Sequence, residues 1–158
     1  MAKKEKNSQI QLMLGIVIFG MTLVGITLFL VGQVASWETI LKIKTSYTGV
    51  QVTFGNKDKG LAFNFIPLLA LIMALVGGVL VLVWRHPVGY ILSSLLLLAS
   101  GIMLFLVLYY VKYQGIIITE TLKKLEAKLG YGAIVGGSLM LAGGLLSGLK
   151  AVIGFTKK

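Results

Sequence analysis

Four long apolar runs divide the chain and constrain its fold more than any other feature. They cover residues 10–34, 65–84, 88–111 and 131–155. Each has about 20 to 25 residues, the length that an α-helix needs to cross the roughly 30 Å hydrocarbon core of a bilayer. The first three runs contain no Asp, Glu, Lys, Arg or His, and the fourth contains only Lys150. The sequence therefore predicts four transmembrane helices.

The composition agrees with a chain embedded in a membrane. Of its 158 residues, 57% are hydrophobic and only 13% are charged, whereas a soluble domain carries about 25% charged residues. The first run is longer than the roughly 7–15 apolar residues of a signal peptide, so we expect a span and not a cleaved leader. We predict a single domain over residues 1–158, with an all-α transmembrane fold. This fold is an antiparallel four-helix bundle that crosses the cell membrane four times.

The charge pattern suggests an orientation and a class of partner. The net charge is +10, and every basic residue except Arg85 is Lys. The basic residues are densest in the short termini and in the linker after the second run, and such segments favour the cytoplasmic side. We therefore expect both termini in the cytoplasm. Membrane lipids with anionic headgroups are the natural partners of these lysines, and no nucleic-acid binding is expected because clusters of Arg with exposed aromatic residues are missing.

Aromatic residues lie near the ends of the runs, as interfacial anchors do in membrane proteins. One interface is predicted to hold Trp37, Tyr109, Tyr110, Tyr113 and Tyr131, and the other Trp84 and Tyr90. These positions support the boundaries of the spans without deciding which end faces the cytoplasm.

The second and third runs are separated only by Arg85, His86 and Pro87. Proline lacks the amide hydrogen that a helix ladder needs, and it moves the preceding residue out of the helical conformation. A tight turn between two antiparallel helices is therefore predicted. His86 has no acidic residue near it in sequence, and we interpret it as a solvated turn residue.

The first outer loop, residues 35–64, carries the alternating pattern of β-strands. Residues 50–54 alternate strictly between apolar and polar side chains, and residues 41–45 nearly do. Residues 46–49 separate the two segments as a turn, so we predict a β-hairpin. Residues 61–65 are expected to add a third strand to this small extracellular sheet.

The second outer loop, residues 112–130, carries a helical pattern. Thr119 can cap a helix, Leu122, Leu125 and Leu129 share one face, and Gly130 can end it. We predict a short amphipathic helix that lies flat on the membrane before the fourth span.

The fourth run has an unusually wide face of small residues. On a helical wheel the following residues fall on it, with Met140 at its centre: Gly132, Gly136, Gly137, Gly143, Gly144, Ser147 and Gly148. Small residues let helix backbones approach closely in a membrane, and the second run offers a counterpart in Ala70, Ala74 and Gly78. Packing within one protomer, a seam between copies and a groove for a lipid or a partner helix all fit this pattern.

A few polar side chains lie within the runs. The hydroxyl groups belong to Thr22, Thr27, Ser93, Ser94 and Ser100. We expect them to bond to the preceding turn or across helices, as such groups commonly do, instead of lining a conduction pathway. Lys150 lies close to the cytoplasmic end of its span and is expected to extend towards the interface.

The sequence carries no catalytic, metal-binding or cofactor-binding motif. There is no Cys, which excludes disulfides, thiolate metal sites and cysteine nucleophiles. An acid–base pair is not predicted, because every acidic residue lies in the N-terminal tail or a loop among lysines: Glu5, Glu38, Asp58, Glu120 and Glu126. We expect a protein that is not an enzyme and uses no cofactor.

The layout resembles the claudin-like tetraspan architecture, with four helices, a long β-forming first loop, a short second loop and short ends inside. Trp37 follows the first span, but the Gly-Leu-Trp and paired Cys of claudins are absent, so the likeness is one of layout. Residues 48–55, followed by the second span, resemble a stretch of small bacterial four-helix membrane proteins. This resemblance implies a bacterial plasma membrane and no particular activity.

These observations favour a non-catalytic scaffold or accessory tetraspan. It would contact lipid, another copy of itself or another membrane protein through its outer loops and the small face of the fourth span. A small oligomeric channel or transporter is the first alternative, and a subunit of a larger membrane complex is the second.

Overall fold

A computed structural model describes residues 2–38, 44–111 and 127–156 of the chain. Its long helices are α1 (Ala2–Val31), α3 (Phe65–Val83), α4 (Pro87–Phe105) and α6 (Tyr131–Thr156). All four are long and apolar enough to cross a membrane, α1 through its segment Gln9–Val31. The prediction of four candidate spans is confirmed, and the chain has the make-up of a multi-pass membrane protein.

The remaining elements are short and cluster at one end of the bundle. They are the helices α2 (Gly49–Phe54) and α5 (Val107–Tyr110), a 3₁₀ turn (Lys57–Lys59), and the strands β1 (Gln33–Glu38), β2 (Lys44–Thr48) and β3 (Ala127–Leu129). The third predicted run is therefore divided, since α4 ends at Phe105 and α5 begins after Leu106.

The four long helices form a closed ring in the order α1, α3, α4, α6. Each helix packs on its two neighbours in this ring, and the contact between α4 and α6 is the most extensive. Consequently α3 lies diagonally across from α6, and α1 lies diagonally across from α4. We call the end that carries the three strands the sheet end, and the opposite end, with the turn around His86, the linker end.

The turn between α3 and α4 has the predicted form. His86 is extended, with φ −112° and ψ 146°, and its Nδ1 atom accepts a hydrogen bond from the amide of Val88 at 3.4 Å. Pro87 occupies the first helical position, where its missing amide hydrogen costs no intrahelical bond. The sequence therefore forces α3 and α4 into an antiparallel pair.

A three-stranded antiparallel sheet covers the sheet end, in the order β2-β1-β3. Trp37 pairs with Thr45 of β2, and Ala35 pairs with Leu129 of β3. The predicted first span ran to residue 34, but α1 ends at Val31 and β1 begins at Gln33. A small sheet was expected here, yet the first two residues of its central strand were assigned to the span and only residues 35–38 to the loop.

The predicted hairpin is wrong in one of its two strands, whereas residues 44–45 of the other lie in β2 as predicted. Residues 50–54 lie in α2, because the Thr48 hydroxyl accepts the Gln51 amide at 3.4 Å and the Gln51 side chain accepts the Thr48 amide at 3.3 Å. This reciprocal arrangement is a capping box, which starts a helix and overrides the alternating pattern. The predicted turn at residues 46–49 is also wrong, since β2 extends to Thr48. Residues 41–43 of the other predicted strand lie outside the described residues.

The predicted third strand at residues 61–65 is not formed. Leu61 makes one isolated bridge with Asn56, and Asn64 caps α3 by accepting the amide of Ile66 at 3.1 Å. The third strand is β3, which pairs with β1 across a large separation in sequence.

The amphipathic helix expected in the second outer loop is wrong where the structure tests it. Leu129 lies in β3, and Gly130 donates its amide to the Val34 carbonyl at 2.9 Å instead of ending a helix. Thr119, Leu122 and Leu125 lie outside the described residues. Pairing with β1 accounts for the difference, because it satisfies backbone groups that a helix end would leave open.

The interior of the bundle is filled with apolar side chains. Ile18, Phe29, Leu97 and Met140 are fully buried, and they come from α1, α4 and α6. Tyr90, predicted as an interfacial residue, is also buried, so its ring packs within the bundle. The bulky residues of α6 on the side away from its glycines are exposed to the surroundings of the bundle: Ile134, Val135, Leu145, Leu149, Val152 and Ile153.

Candidate functional site

The small face of α6 points into the bundle, and at the sheet end it lies against the backbone of α1. A β-carbon placed on Gly136 would lie 2.8 Å from the Gly25 carbonyl oxygen, and one on Gly132 would lie 2.8 Å from the Leu28 carbonyl oxygen. Both distances are far below a normal carbon–oxygen contact. Only glycine allows α1 and α6 to approach this closely at these two positions.

The same face also meets α4, mainly through side chains. A β-carbon on Gly137 would lie 2.9 Å from the Phe105 ring, and one on Gly144 would lie 2.8 Å from the Leu98 side chain. Gly148 has more room, since its β-carbon would be 3.2 Å from the nearest atom, in Ser94. At Gly143 an added β-carbon would meet ordinary contacts at 3.6 Å or more.

Met140, on the same face of α6 as these glycines, fills the centre of the bundle. Its sulfur lies 3.1 Å from the Ser100 hydroxyl oxygen, and that hydroxyl donates to the Ala70 carbonyl at 2.7 Å. The contact joins α3, α4 and α6 at one level. Met140 therefore packs within its own protomer and is fully buried.

Serine hydroxyls tie α4 to both of its neighbours. Ser93 donates to the Gly77 carbonyl at 2.7 Å, Ser94 to the Gly144 carbonyl at 2.8 Å, and Ser147 to the Tyr90 carbonyl at 3.0 Å. Thr22 and Thr27 bond back to the preceding turn of α1. The expectation that these hydroxyls bond across helices or to the preceding turn is confirmed.

The small residues of the second span do not meet those of the fourth. Ala70 and Ala74 are fully buried, and Gly78 packs against Phe19 and Thr22 of α1. Because α3 lies diagonally across the ring from α6, these residues serve the contacts of α3 with α1 and α4. The sequence predicted the small face of α3 but paired it with the wrong helix.

The predicted interfacial anchors are distributed between the two ends. Trp84 caps α3 at the linker end and is 46% exposed. At the sheet end, Tyr109 of α5 is 84% exposed and Tyr131 of α6 is 57% exposed. Trp37 lies in β1 and Tyr110 lies in α5 at the same end.

Sequence reasoning missed a polar cleft at the linker end. It lies between α1, α3, α4 and α6 and is lined by Gln11, Gly15, Val81, Arg85, Tyr90 and Lys150 among others. We call it the linker-end cleft. These residues are far apart in the sequence, so no local motif predicts the cleft.

Lys150 is the charged group at the base of the linker-end cleft. Its side chain is only 3% exposed, because the helices around the cleft cover it. The ammonium lies 4.3 Å from the centroid of the Tyr90 ring and 3.5 Å from the Val81 carbonyl oxygen. A cation over an aromatic face is stabilised by the ring quadrupole, which partly replaces the lost hydration.

Metal-ligating and acidic side chains are sparse among the residues that the structure describes. No group of three or more metal-ligating side chains is present among them, and Asp58 lies exposed in the 3₁₀ turn at the sheet end, far along the chain from Lys150. Comparison with known proteins adds no assignment, since no family model, no curated protein and no solved structure matches the chain. Two features therefore remain as candidate sites, the sheet end and the linker-end cleft.

Proposed function

We propose that this protein is a non-catalytic scaffold or accessory tetraspan that contacts another membrane protein, or a second copy of itself, through its sheet end. The observation that carries the proposal is the use of the α6 small face inside the protomer. Gly132 and Gly136 lie against α1, while Gly137 and Gly144 lie against α4. A face already covered by the protein's own helices is not available to a partner, so recognition falls to the surface that remains.

The filled interior supports a structural role over conduction. Phe29, Leu97 and Met140 block the bundle axis with apolar atoms, and the neighbouring serines donate their hydroxyl protons to backbone carbonyls. An ion pathway through a single bundle would need polar groups left open to water or ions. A channel could then arise only between protomers.

The described part of the sheet end is held together by backbone contacts and buried side chains. The amide of Gly130 bonds to the Val34 carbonyl, Gly49 abuts the Phe29 carbonyl at the end of α1, and Tyr47 and Val52 are buried beneath the surface. A preformed surface loses little conformational entropy on binding, which favours recognition. With the termini in the cytoplasm of a bacterial cell, the sheet end would face outward.

An apolar surface at the sheet end gives a candidate contact region. Val50, Phe54 and Phe63 are 45%, 55% and 53% exposed. We call them the cap patch. They lie outside the four candidate spans, and clustered exposed apolar side chains of this kind mark contacts with proteins or membranes.

The test is purification of the full chain from its native membrane, in mild detergent, after cross-linking. We expect the wild-type protein to carry a specific partner or a second copy, and Phe54→Gln with Phe63→Gln to lose it. Val83→Gln is the matched control, since Val83 is 74% exposed at the linker end. Solute or ion flux through the protein in liposomes would contradict the proposal, as would equal cross-linking of all variants.

A further inference from the structure

The linker-end cleft contains two positive charges and no described negative one. Lys150 lies at its base, and Arg85 lies at its rim. Neither cation is paired with a carboxylate among residues 9–36, 45–109 and 128–155, whose side chains the structure describes. Ionisable residues within a membrane span are expensive to bury and commonly mark a binding site or a pathway.

The hydrogen-bonding capacity of Lys150 is also incompletely used. An ammonium has three donors, and the described structure gives it one long bond, 3.5 Å to the Val81 carbonyl. Contact with the Tyr90 ring stabilises its charge without accepting a conventional hydrogen bond. The donors left over face a cleft that also contains the Gln11 side chain and the Arg85 guanidinium.

The depth of this cleft suits a lipid headgroup. Val81, which marks the level of the ammonium, lies two residues before the end of α3, or about 3 Å along the helix axis. The headgroup region begins where the roughly 30 Å hydrocarbon core ends. With α3 crossing the hydrocarbon core, Lys150 and Arg85 would lie at the level of the bilayer phosphates. Basic pockets between spans at this depth bind acidic headgroups.

We propose that the linker-end cleft binds a phosphate group, supplied either by an acidic phospholipid headgroup or by inorganic phosphate. Arg85 provides a planar fork that matches two phosphate oxygens, and Lys150 provides a point charge with free donors. Gln11 can add a neutral amide donor from α1. This site is separate from the cap patch, so either proposal can fail without the other.

Gly15 shapes the site by leaving room for the ammonium. A β-carbon at this position would lie 3.1 Å from the Lys150 nitrogen and 3.3 Å from the Val81 carbonyl oxygen. Gly15→Ala would push the flexible end of Lys150 out of its position while keeping its charge. The effect of this variant therefore distinguishes binding that depends on the shape of the cleft from a general attraction between cations and anions.

The experiment titrates the purified full-length protein with short-chain phosphatidylglycerol and follows lipid-bound species by native mass spectrometry. Phosphatidylcholine is the neutral reference lipid, and inorganic phosphate is titrated in a parallel arm. We expect Lys150→Met and Arg85→Gln each to weaken phosphatidylglycerol binding about tenfold, the usual effect of losing one charge-assisted hydrogen bond. Gly15→Ala should weaken it as well.

Lys57→Met is the matched control, because Lys57 is exposed in the 3₁₀ turn at the sheet end and carries the same charge. Its binding should equal that of the wild type. Phosphate alone binding with the same dependence on Lys150 would identify the free anion as the source. Equal weakening by Lys57→Met, or unchanged binding in Arg85→Gln and Gly15→Ala, would overturn the proposal even if Lys150→Met failed to fold.

Discussion

The two halves of α6 pack by different means, although both carry glycines on the same face. Near the sheet end, Gly132 and Gly136 lie against carbonyl groups of α1. Near the linker end, Gly148 lies against the side chain of Ser94, and Ser147 donates to the Tyr90 carbonyl. The first half is held by close approach of two backbones, and the second by side chains and hydroxyl bonds between α4 and α6.

This difference determines how each half tolerates change. A backbone carbonyl within a helix is fixed by its own hydrogen bonds, so it cannot withdraw from a new methyl group without moving the helix. A side chain can change its rotamer or shift by a few tenths of an ångström. Substitution should therefore cost more at Gly132 and Gly136 than at Gly148, even though a helical wheel shows one continuous small face.

The largest effect is expected for Gly136→Ala. Its β-carbon would lie 2.8 Å from the Gly25 carbonyl oxygen, so α1 and α6 must separate. We expect the free energy of unfolding to fall by about 2 kcal/mol, as overpacking in a tight core typically costs. Unfolding in mixed micelles by titration with a denaturing detergent measures this quantity.

Gly143→Ala is the control for that measurement. It lies on the same face of the same helix, but its added β-carbon would be 3.6 Å from the nearest atom, in Ile18. Alanine also favours the helix over glycine by up to about 1 kcal/mol in water. Equal destabilisation by the two variants would show that the small face acts as a uniform stripe and would refute the distinction between the halves.

The helices and the small face of α6 could be predicted because both are local patterns. An apolar run sets the length of a helix, and a rotation of about 100° per residue sets which residues share a face. The partner of that face could not be read in the same way. Ala70 and Gly78 offered a plausible counterpart, but the ring order places α3 diagonally across from α6.

The sheet end was predicted least well, because its elements depend on contacts between distant residues. Residues 50–54 alternate like a strand, yet the capping box of Thr48 and Gln51 starts a helix. The first two residues of β1 belong to an apolar run that was assigned to the first span. β3 forms only because β1 lies beside it. The linker-end cleft was not predicted for a similar reason, since Gln11, Arg85 and Lys150 come together only in the folded bundle.

A smaller loss is expected for Ser147→Ala, in the linker-end half. The variant removes the hydrogen bond to the Tyr90 carbonyl and leaves that carbonyl with its own helical bond. Hydrogen bonds between spans are worth on average about 0.6 kcal/mol, so the free energy of unfolding should fall by about that amount. Thr27→Val is the control, because Thr27 bonds only within α1 and is partly exposed. A loss from Ser147→Ala as large as that from Gly136→Ala would contradict the expected difference between the two halves.

The smallest effect is expected for Gly148→Ala. Its β-carbon would lie 3.2 Å from the Ser94 hydroxyl oxygen, which is tight, while the next atom is 3.9 Å away. Ser94 donates to the Gly144 carbonyl at 2.8 Å, so a slight rotation of this hydroxyl can relieve the contact at the expense of part of that bond. The gain in helix propensity offsets the strain, and we expect the free energy of unfolding to stay within about 0.5 kcal/mol of the wild type. If the double variant Gly148→Ala with Ser94→Ala were more stable than Ser94→Ala alone, the Ser94 hydroxyl would be identified as the source of strain. A loss of several kcal/mol in Gly148→Ala would instead contradict the prediction, because it would show that α4 and α6 approach as rigidly as α1 and α6.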